Sequence, residues 1–368
     1  MTGIRRGRAA VLAGLLVLCL TSLGVGCGGD DDDDQAQQEP ARQSTDLSAV
    51  KAYLLEHTAQ LKRDSAELHR DGEAYYRLAR STDFDYARLL EENREQVRAL
   101  VRRSQDGFAR ANPAYEQMEG VVAGVPQLAD FDVSIDAGGD ASDPENAVPF
   151  SVETPGGKTF KQPGNYNFLI ETSLFGTEPK FAAKGVEPDL DGDGKVEFGE
   201  ALPDADFYVA ATRDFARTAG ELDKAARAWK PTTQDALTAL VVMTPTMSEY
   251  FEAWKNSRFV AGSNAAEKAF VVASRLQDIT DILGGLVLVY DNVKPAVARA
   301  DRQQARQTEK SLRSLHAFAR RLRDQEREGK QFDAQDADTL GSEAQSQAEA
   351  IAGQISQAAS QLKIKLET

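Results

Sequence analysis

The chain has 368 residues, with 58 acidic against 43 basic side chains, a net charge of −15, three histidines and two cysteines. So acidic a balance disfavours a nucleic-acid partner, two cysteines cannot build a disulfide framework, and three histidines leave little nitrogen for a zinc centre. The length is enough for one sizeable hydrophobic core or two smaller ones.

Residues 1–26 read as a lipoprotein signal peptide. Arg5, Arg6 and Arg8 precede an apolar run from Ala9 to Leu20. Leu23-Gly-Val-Gly-Cys27 then resembles a lipobox, imperfectly, because Gly24 stands three places before the cysteine where leucine is usual. Cys19 lies inside the signal, so Cys27 is the lone cysteine of the mature chain, and a free thiol is a liability in an oxidising compartment. Cys27 is therefore the expected lipidation site, with an ordinary cleaved signal as the alternative. Residues 27–45 form an acidic tether with aspartate at every position from Asp30 to Asp34, too polar to order itself. Loss of the signal removes three arginines and takes the net charge to −18. The protein is expected to be exported and held by a lipid anchor on the cell membrane, facing the outside or the periplasm.

From residue 46 to 368 the patterning is helical. Leu47, Val50, Leu54, His57, Leu61 and Leu68 step by three, four or seven behind the possible caps Thr45 and Asp46. Leu90, Val97, Val101 and Phe108 repeat the spacing in the next segment. Pro126 to Gly164 is rich in Gly, Pro and Asp and reads as a long irregular excursion with short strands. Further helices are expected at Asn165–Gly176, Asp204–Trp229, Thr233–Lys255, Ala261–Val293, Pro295–Glu328 and Ala334–Lys365. The apolar run Leu283 to Tyr290 is too short to span a bilayer. The fold class is all-α, packed as helical bundles.

The most specific motif is Asp189-Leu-Asp191-Gly-Asp193-Gly194-Lys195-Val-Glu197-Phe-Gly-Glu200, which matches a twelve-residue EF-hand calcium loop at every position. Asp189, Asp191 and Asp193 offer hard carboxylate oxygens and Gly194 takes the sharp turn. Lys195 contributes its backbone carbonyl, Glu197 binds directly or through water, and Glu200 closes the shell. Pro188 and Pro203 crowd both ends, so the loop reads as a single calcium clip between helices, with a structural role. Calcium is the expected cofactor.

Four segments carry a family resemblance. Val50-Lys-Ala-Tyr53 opens the first helix. Tyr115-Glu116-Gln-Met-Glu119-Gly-Val resembles a family Tyr-Glu-Arg-Ile-Glu-Pro-Val. Asp130-Phe-Asp132-Val-Ser-Ile-Asp136 resembles Asp-Leu-Asp-x-x-Ile-Asp, and Asn167-Phe168-Leu-Ile-Glu171-Thr-Ser-Leu-Phe-Gly176 resembles Phe-His-x-x-Glu-x-x-Leu-Phe-Gly. Together they resemble the imelysin-like family, including lipoproteins and periplasmic proteins of the EfeM/EfeO type and an alginate-binding relative. The resemblance implies two packed helical bundles with an acidic metal or ligand site between them.

Glu116 and Glu119 are three residues apart and share a helix face. The family geometry would bring Glu171 in from a neighbouring helix, with Asp130, Asp132 and Asp136 in the adjacent loop. Convergent carboxylates repel unless a cation sits among them, so Glu116, Glu119, Asp132, Asp136 and Glu171 are the candidate second site, for iron(III) or calcium. The bland alternative is solvated faces and partners for the arginines. Phe168 stands where the family has its histidine, which removes the nitrogen a zinc peptidase would use. There is no Gly-x-Ser-x-Gly elbow and no Walker loop. No enzyme activity is expected, a degenerate metallopeptidase being the remote alternative. His57 is expected in the core. Arg299, Arg302, Arg306, Lys310 and Arg313 form a basic stripe, and Trp229, Tyr250 and Trp254 offer aromatic surfaces; either could serve an anionic polysaccharide or simply solvated and core positions. The functional expectation is a calcium-binding, membrane-anchored surface lipoprotein that binds metal ions, with a role in iron acquisition by family analogy. The alternatives are an anionic-polysaccharide binder of the alginate type, or a structural envelope protein whose only ligand is calcium.

Overall fold

The structure is a computed structural model that describes residues 45–367. The expected signal, Cys27 and nearly all of the tether lie outside the described residues.

The all-α expectation holds. α1 (Ser48–Ser81) and α2 (Tyr86–Val122) form a long hairpin, closed by a turn in which Asp83 and Phe84 take positive φ. The side chain of Asp85 accepts from the Arg88 amide and caps α2. The expected stripe on α1 is the buried one, from Val50 through Leu54, His57, Leu61 and Leu68 to Tyr75. α5 (Ala205–Ala228) lies against α1, and α4 (Tyr166–Phe175) against α2 and α5, completing the first bundle. α4 begins on an Asn165 cap and ends on Gly176 in the left-handed conformation, where a Cβ would be strained.

Between α2 and α4 the excursion is more ordered than expected. A short helix α3 (Ala129–Asp132) runs into a single π-turn (Val133–Ala137), so Asp132 and Asp136 sit on helical backbone rather than in a loop. Then β1 (Ser151–Glu153) pairs antiparallel with β2 (Thr159–Lys161), the one named pair of strands among the described residues.

The second bundle contains α6 (Thr233–Met243), α7 (Met247–Asn256), α9 (Arg275–Ala300), α10 (Arg302–Arg327) and α11 (Ala334–Gln361), with the one-turn α8 (Arg258–Ala261) after α7. Three expected boundaries are corrected here. The Thr233–Lys255 segment breaks at Thr244-Pro245-Thr246, a 3-10 turn, because proline cannot donate to the helical ladder. Helix does not run on from Ala261: residues 265–274 are irregular, and Ser274 caps α9. Pro295 sits inside α9, and the next helix starts on the Asp301 side chain, which accepts from the Gln303 and Gln304 amides.

The bundles meet where α2 packs on α9 and α6. Gly120 and Gly285 permit the close approach. A Cβ on Gly120 would lie 2.8 Å from the Leu286 side chain, and one on Gly285 would lie 2.6 Å from the Gln117 carbonyl oxygen. No helix of the described residues is long and apolar enough to cross a membrane.

Candidate metal centre

The α2–α9 seam carries a buried acidic centre. Glu116 stands one turn before Gly120 on α2 and Glu119 directly before it, Asp132 and Asp136 come from α3 and the π-turn, and Asp278 comes from the first turn of α9. Every one of these carboxyls is buried; Glu116 is 0 % and Glu119 3 % exposed. Glu116, Glu119 and Asp136 each present an oxygen within 4.8 Å of the others.

One cation sits among them. The Arg275 guanidinium, 7 % exposed, reaches Asp278 at 3.0 Å, Asp136 at 3.4 Å and Glu116 at 3.5 Å. It is stacked between the rings of Phe270, 3.8 Å to the centroid, and Tyr250, 4.7 Å. Burial works against its charge, but Asp136, Glu116 and Asp278 more than offset that and hold it protonated. Two tyrosines supply neutral donors: Tyr115 to Asp132 at 2.5 Å and Tyr250 to Glu119. Asn167 donates to Asp136 at 3.0 Å.

These partners do not balance five carboxyls. Burial, reinforced by Asp136 and Asp132, pushes Glu119 up to about 8. Burial takes Asp278 to about 8 and Asp132 to about 7. Burial, then Asp278 and Asp136, lifts Glu116 well above the carboxylate range. Glu116 and Glu119 can share a proton between them. Otherwise neither oxygen of Glu116 nor Oε2 of Glu119 has a hydrogen-bond partner. Ionising such buried oxygens without a partner is costly, and a hard cation is the partner that ionised oxygens of this kind accept. The residues fit a metal ion by that chemistry.

Glu171 is placed differently from the other four candidates. Its carboxylate accepts the backbone N–H groups of Phe270, Val271 and Val272 at 2.6, 2.9 and 3.0 Å. Burial raises it to about 7 even so. It therefore ties down the segment before α9 instead of joining the compact trio. Asp130, two residues before Asp132, is exposed. A cleft of about 450 Å3 opens beside the centre, lined by Asp136, Asn167, Phe168, Glu171 and Phe270 among others. Phe168 thus faces the cleft with an aromatic ring where the family resemblance would place an imidazole.

Arg275 and Asp278 were missing from the sequence expectation. Their signal was available: with Ile279, Ile282 and Leu286 they follow the helical spacing of a buried stripe, and charge on such a stripe calls for a partner.

Residues 101–358, more than two thirds of the chain, match the imelysin family. This chain belongs to that family. No curated protein matches it. The matched region of this imelysin runs from the middle of α2 to the end of α11, so it takes in all five acids and Arg275.

The calcium-type loop lies in the irregular segment between α4 and α5. Asp189, Asp191 and Asp193 bring oxygens within 4.8 Å of one another. The Gly194 amide donates to Asp189 at 3.1 Å, with Gly194 at φ +88. Both oxygens of Glu200 are engaged inside the loop, by the amides of Leu190 and Asp191 on one and of Glu197 on the other. Lys195 is exposed, and its amide donates to Asp193 at 2.8 Å. Arg94 of α2 reaches the Asp189 carbonyl at 2.9 Å and its carboxylate at 3.5 Å. Val196 and Phe198, on this loop, are the exposed large hydrophobics of the described residues.

Of the two readings of the aromatic residues, the core one holds. Trp229, Tyr250 and Trp254 are all buried, and the indoles donate to Asp235 and Glu326. They are core residues, not a platform for sugar rings. His57 is buried with its ring edge-on to Tyr53, though Nδ1 lacks a partner. In the basic stripe Arg313 pairs with Asp291 at 2.7 Å and Glu309 at 3.7 Å, while Arg299, Arg302, Arg306 and Lys310 are exposed.

Proposed function

We propose that this imelysin is a cell-surface metal-binding protein whose buried centre takes a hard cation, iron(III) or calcium, on Glu116, Glu119 and Asp136. The observation that carries the reading is the convergence of three buried carboxyls within 4.8 Å, with both oxygens of Glu116 and Oε2 of Glu119 lacking a hydrogen-bond partner. A role in metal uptake of the EfeM/EfeO type follows from the family and from this chemistry together. The loop Asp189–Glu200 is the second part of the proposal, a calcium clip with a structural role, supported by its complete ligand set and the Gly194–Asp189 turn. Anchoring through acylated Cys27 is the third, supported by the sequence before it.

The family name is that of a peptidase. Zinc hydrolysis needs a firmly held ion with an open position and a base beside its water. Phe168 has no lone pair, and three backbone amides occupy Glu171, so we favour binding over catalysis. An anionic polysaccharide suits the centre poorly, because Asp136, Asp140, Asp143, Glu171 and Glu267 line its cleft.

Metal analysis of purified protein, then calorimetric titration of the metal-free chain with calcium and iron(III), tests the reading. Glu116→Gln with Glu119→Gln should remove one class of sites and Glu200→Gln the other. Unchanged binding in the double glutamine variant would reject the buried centre as the site.

A further inference from the structure

Glu116 and Asp136 are claimed twice: they belong to the trio that can hold an ion, and they are also contacts of Arg275. The guanidinium serves them poorly. Charge-assisted N–H···O bonds run at about 2.7–2.9 Å and are strongest in bidentate pairs, yet these two contacts are 3.4 and 3.5 Å, each through one nitrogen. Only Asp278, at 3.0 Å, is close to a good bond, and Nε of Arg275 has no partner. Apart from Asp278, the guanidinium is held by its two ring contacts more than by hydrogen bonds to the acids.

Its place in the fold adds to this. Arg275 is the first residue of α9, the end of a helix where a positive charge is disfavoured. Irregular chain precedes it, and its guanidinium carbon lies over the rings of Phe270 and Tyr250. Phe270 also lines the cleft, so the cleft adjoins the guanidinium. Meanwhile Glu116 and Glu119, both more than nine-tenths buried, aim unpartnered oxygens into the centre.

We propose that Arg275 is the resident counter-cation of the acidic centre, and that a metal ion enters by displacing its guanidinium. The ion and the guanidinium compete for Glu116 and Asp136, so Arg275 sets the affinity threshold of the site. An ion that gains little from the acids does not expel the arginine already there. The inference rests on the reading of this centre as a cation site, and its test separates the two.

The experiment uses metal-free protein carrying Glu200→Gln, which silences the calcium-type loop, and terbium(III) as a hard trivalent probe. Tyr115 and Tyr250, bonded to two of the acids, should sensitise terbium emission from an ion in the centre. Arg275→Met keeps an unbranched apolar side chain beside the two rings and removes the charge. It should bind terbium at least about tenfold more tightly, the size expected for deleting a close competing charge, and calcium by a similar factor. Arg275→Lys keeps the charge but not the fork, and should show a smaller gain; it stands in if the methionine variant does not fold. Equal or weaker binding in a folded variant would overturn the role of Arg275 while leaving the cation site standing. Absence of sensitised emission in the parent and in both variants would overturn the site and the inference together.

Discussion

Gly285→Ala tests the seam on which the acidic centre depends. In a helix interior, alanine is better than glycine by about 1 kcal/mol, so propensity alone predicts stabilisation. The new Cβ, however, would stand 2.6 Å from the Gln117 carbonyl oxygen, well inside contact distance. That oxygen is backbone and already accepts the Tyr53 hydroxyl at 2.7 Å, so it cannot turn aside. Overpacking of this kind costs about 1–3 kcal/mol, and α2 and α9 must move apart to relieve it. We expect net destabilisation of up to about 2 kcal/mol after the propensity gain is subtracted. Gly353→Ala is the control: it lies within α11 with nothing within 4 Å of a new Cβ, so it should stabilise by about 0.5–1 kcal/mol. Urea melts of both variants beside the parent read the difference. The seam also aligns Glu116 and Glu119 with Arg275 and Asp278, so terbium affinity should fall in Gly285→Ala and not in Gly353→Ala. If Gly285→Ala is as stable as Gly353→Ala, the close approach of the helices is wrong and the geometry of the centre goes with it.

The metal-free protein should gain stability as pH falls from about 8 to 5. Glu119, Asp278, Asp132 and Glu171 have folded values of about 8, 8, 7 and 7, all above their ordinary 3.8–4.5. The stability they contribute is whole below the ordinary values and is lost as pH rises through 7–8; melts that weaken steadily toward pH 5 would contradict this. Calcium at 1 mM should stabilise the fold by about 1.4 kcal/mol if its dissociation constant is roughly 0.1 mM, and Glu200→Gln should abolish the gain. Identical melts in calcium and chelator, with no heat on titration, would reject the clip. Cys27→Ser should move the protein from the membrane to the soluble fraction, and retention of the variant on membranes would reject the lipid anchor. Finally, Phe168→His should raise metal affinity at the cleft, read by calorimetry; no gain would show that Glu171 stays on its three amides.

Local signals carried the sequence reading a long way. The α1 stripe, the Asn165 cap and the Gly176 terminator of α4 are written in neighbouring residues, and so is the loop at Asp189–Glu200. Glu116, Glu119 and Asp136 were recoverable because they sit in short recognisable segments. What failed was long-range. Nothing near Arg275 in sequence says that its partners are on α2 and the π-turn, and running helix through residues 265–274 hid the Ser274 cap that puts Arg275 on a first turn. Pro245 was visible and should have split α6 from α7. Pro295, by contrast, looked like a helix start and is not one, because α9 absorbs it. The burial of Trp254 depends on which face of α7 meets α9 and α11, and Trp229 is the cap after α5, where helical periodicity no longer applies.

The acidic centre also dates the steps of folding. Glu116 and Asp136 lie near one another in the chain, but Asp278 and Arg275 arrive some 140 residues later. Contacts so distant in sequence close late, after the loop-closure entropy between them has been overcome. Until α9 docks, Glu116 and Glu119 sit on an open helix face where water satisfies them. A nascent first bundle is therefore an ordinary, well-hydrated acidic surface. Closure of α9 strips that water away and delivers the Arg275 guanidinium in the same step, so the acids exchange water for a cation of the chain's own.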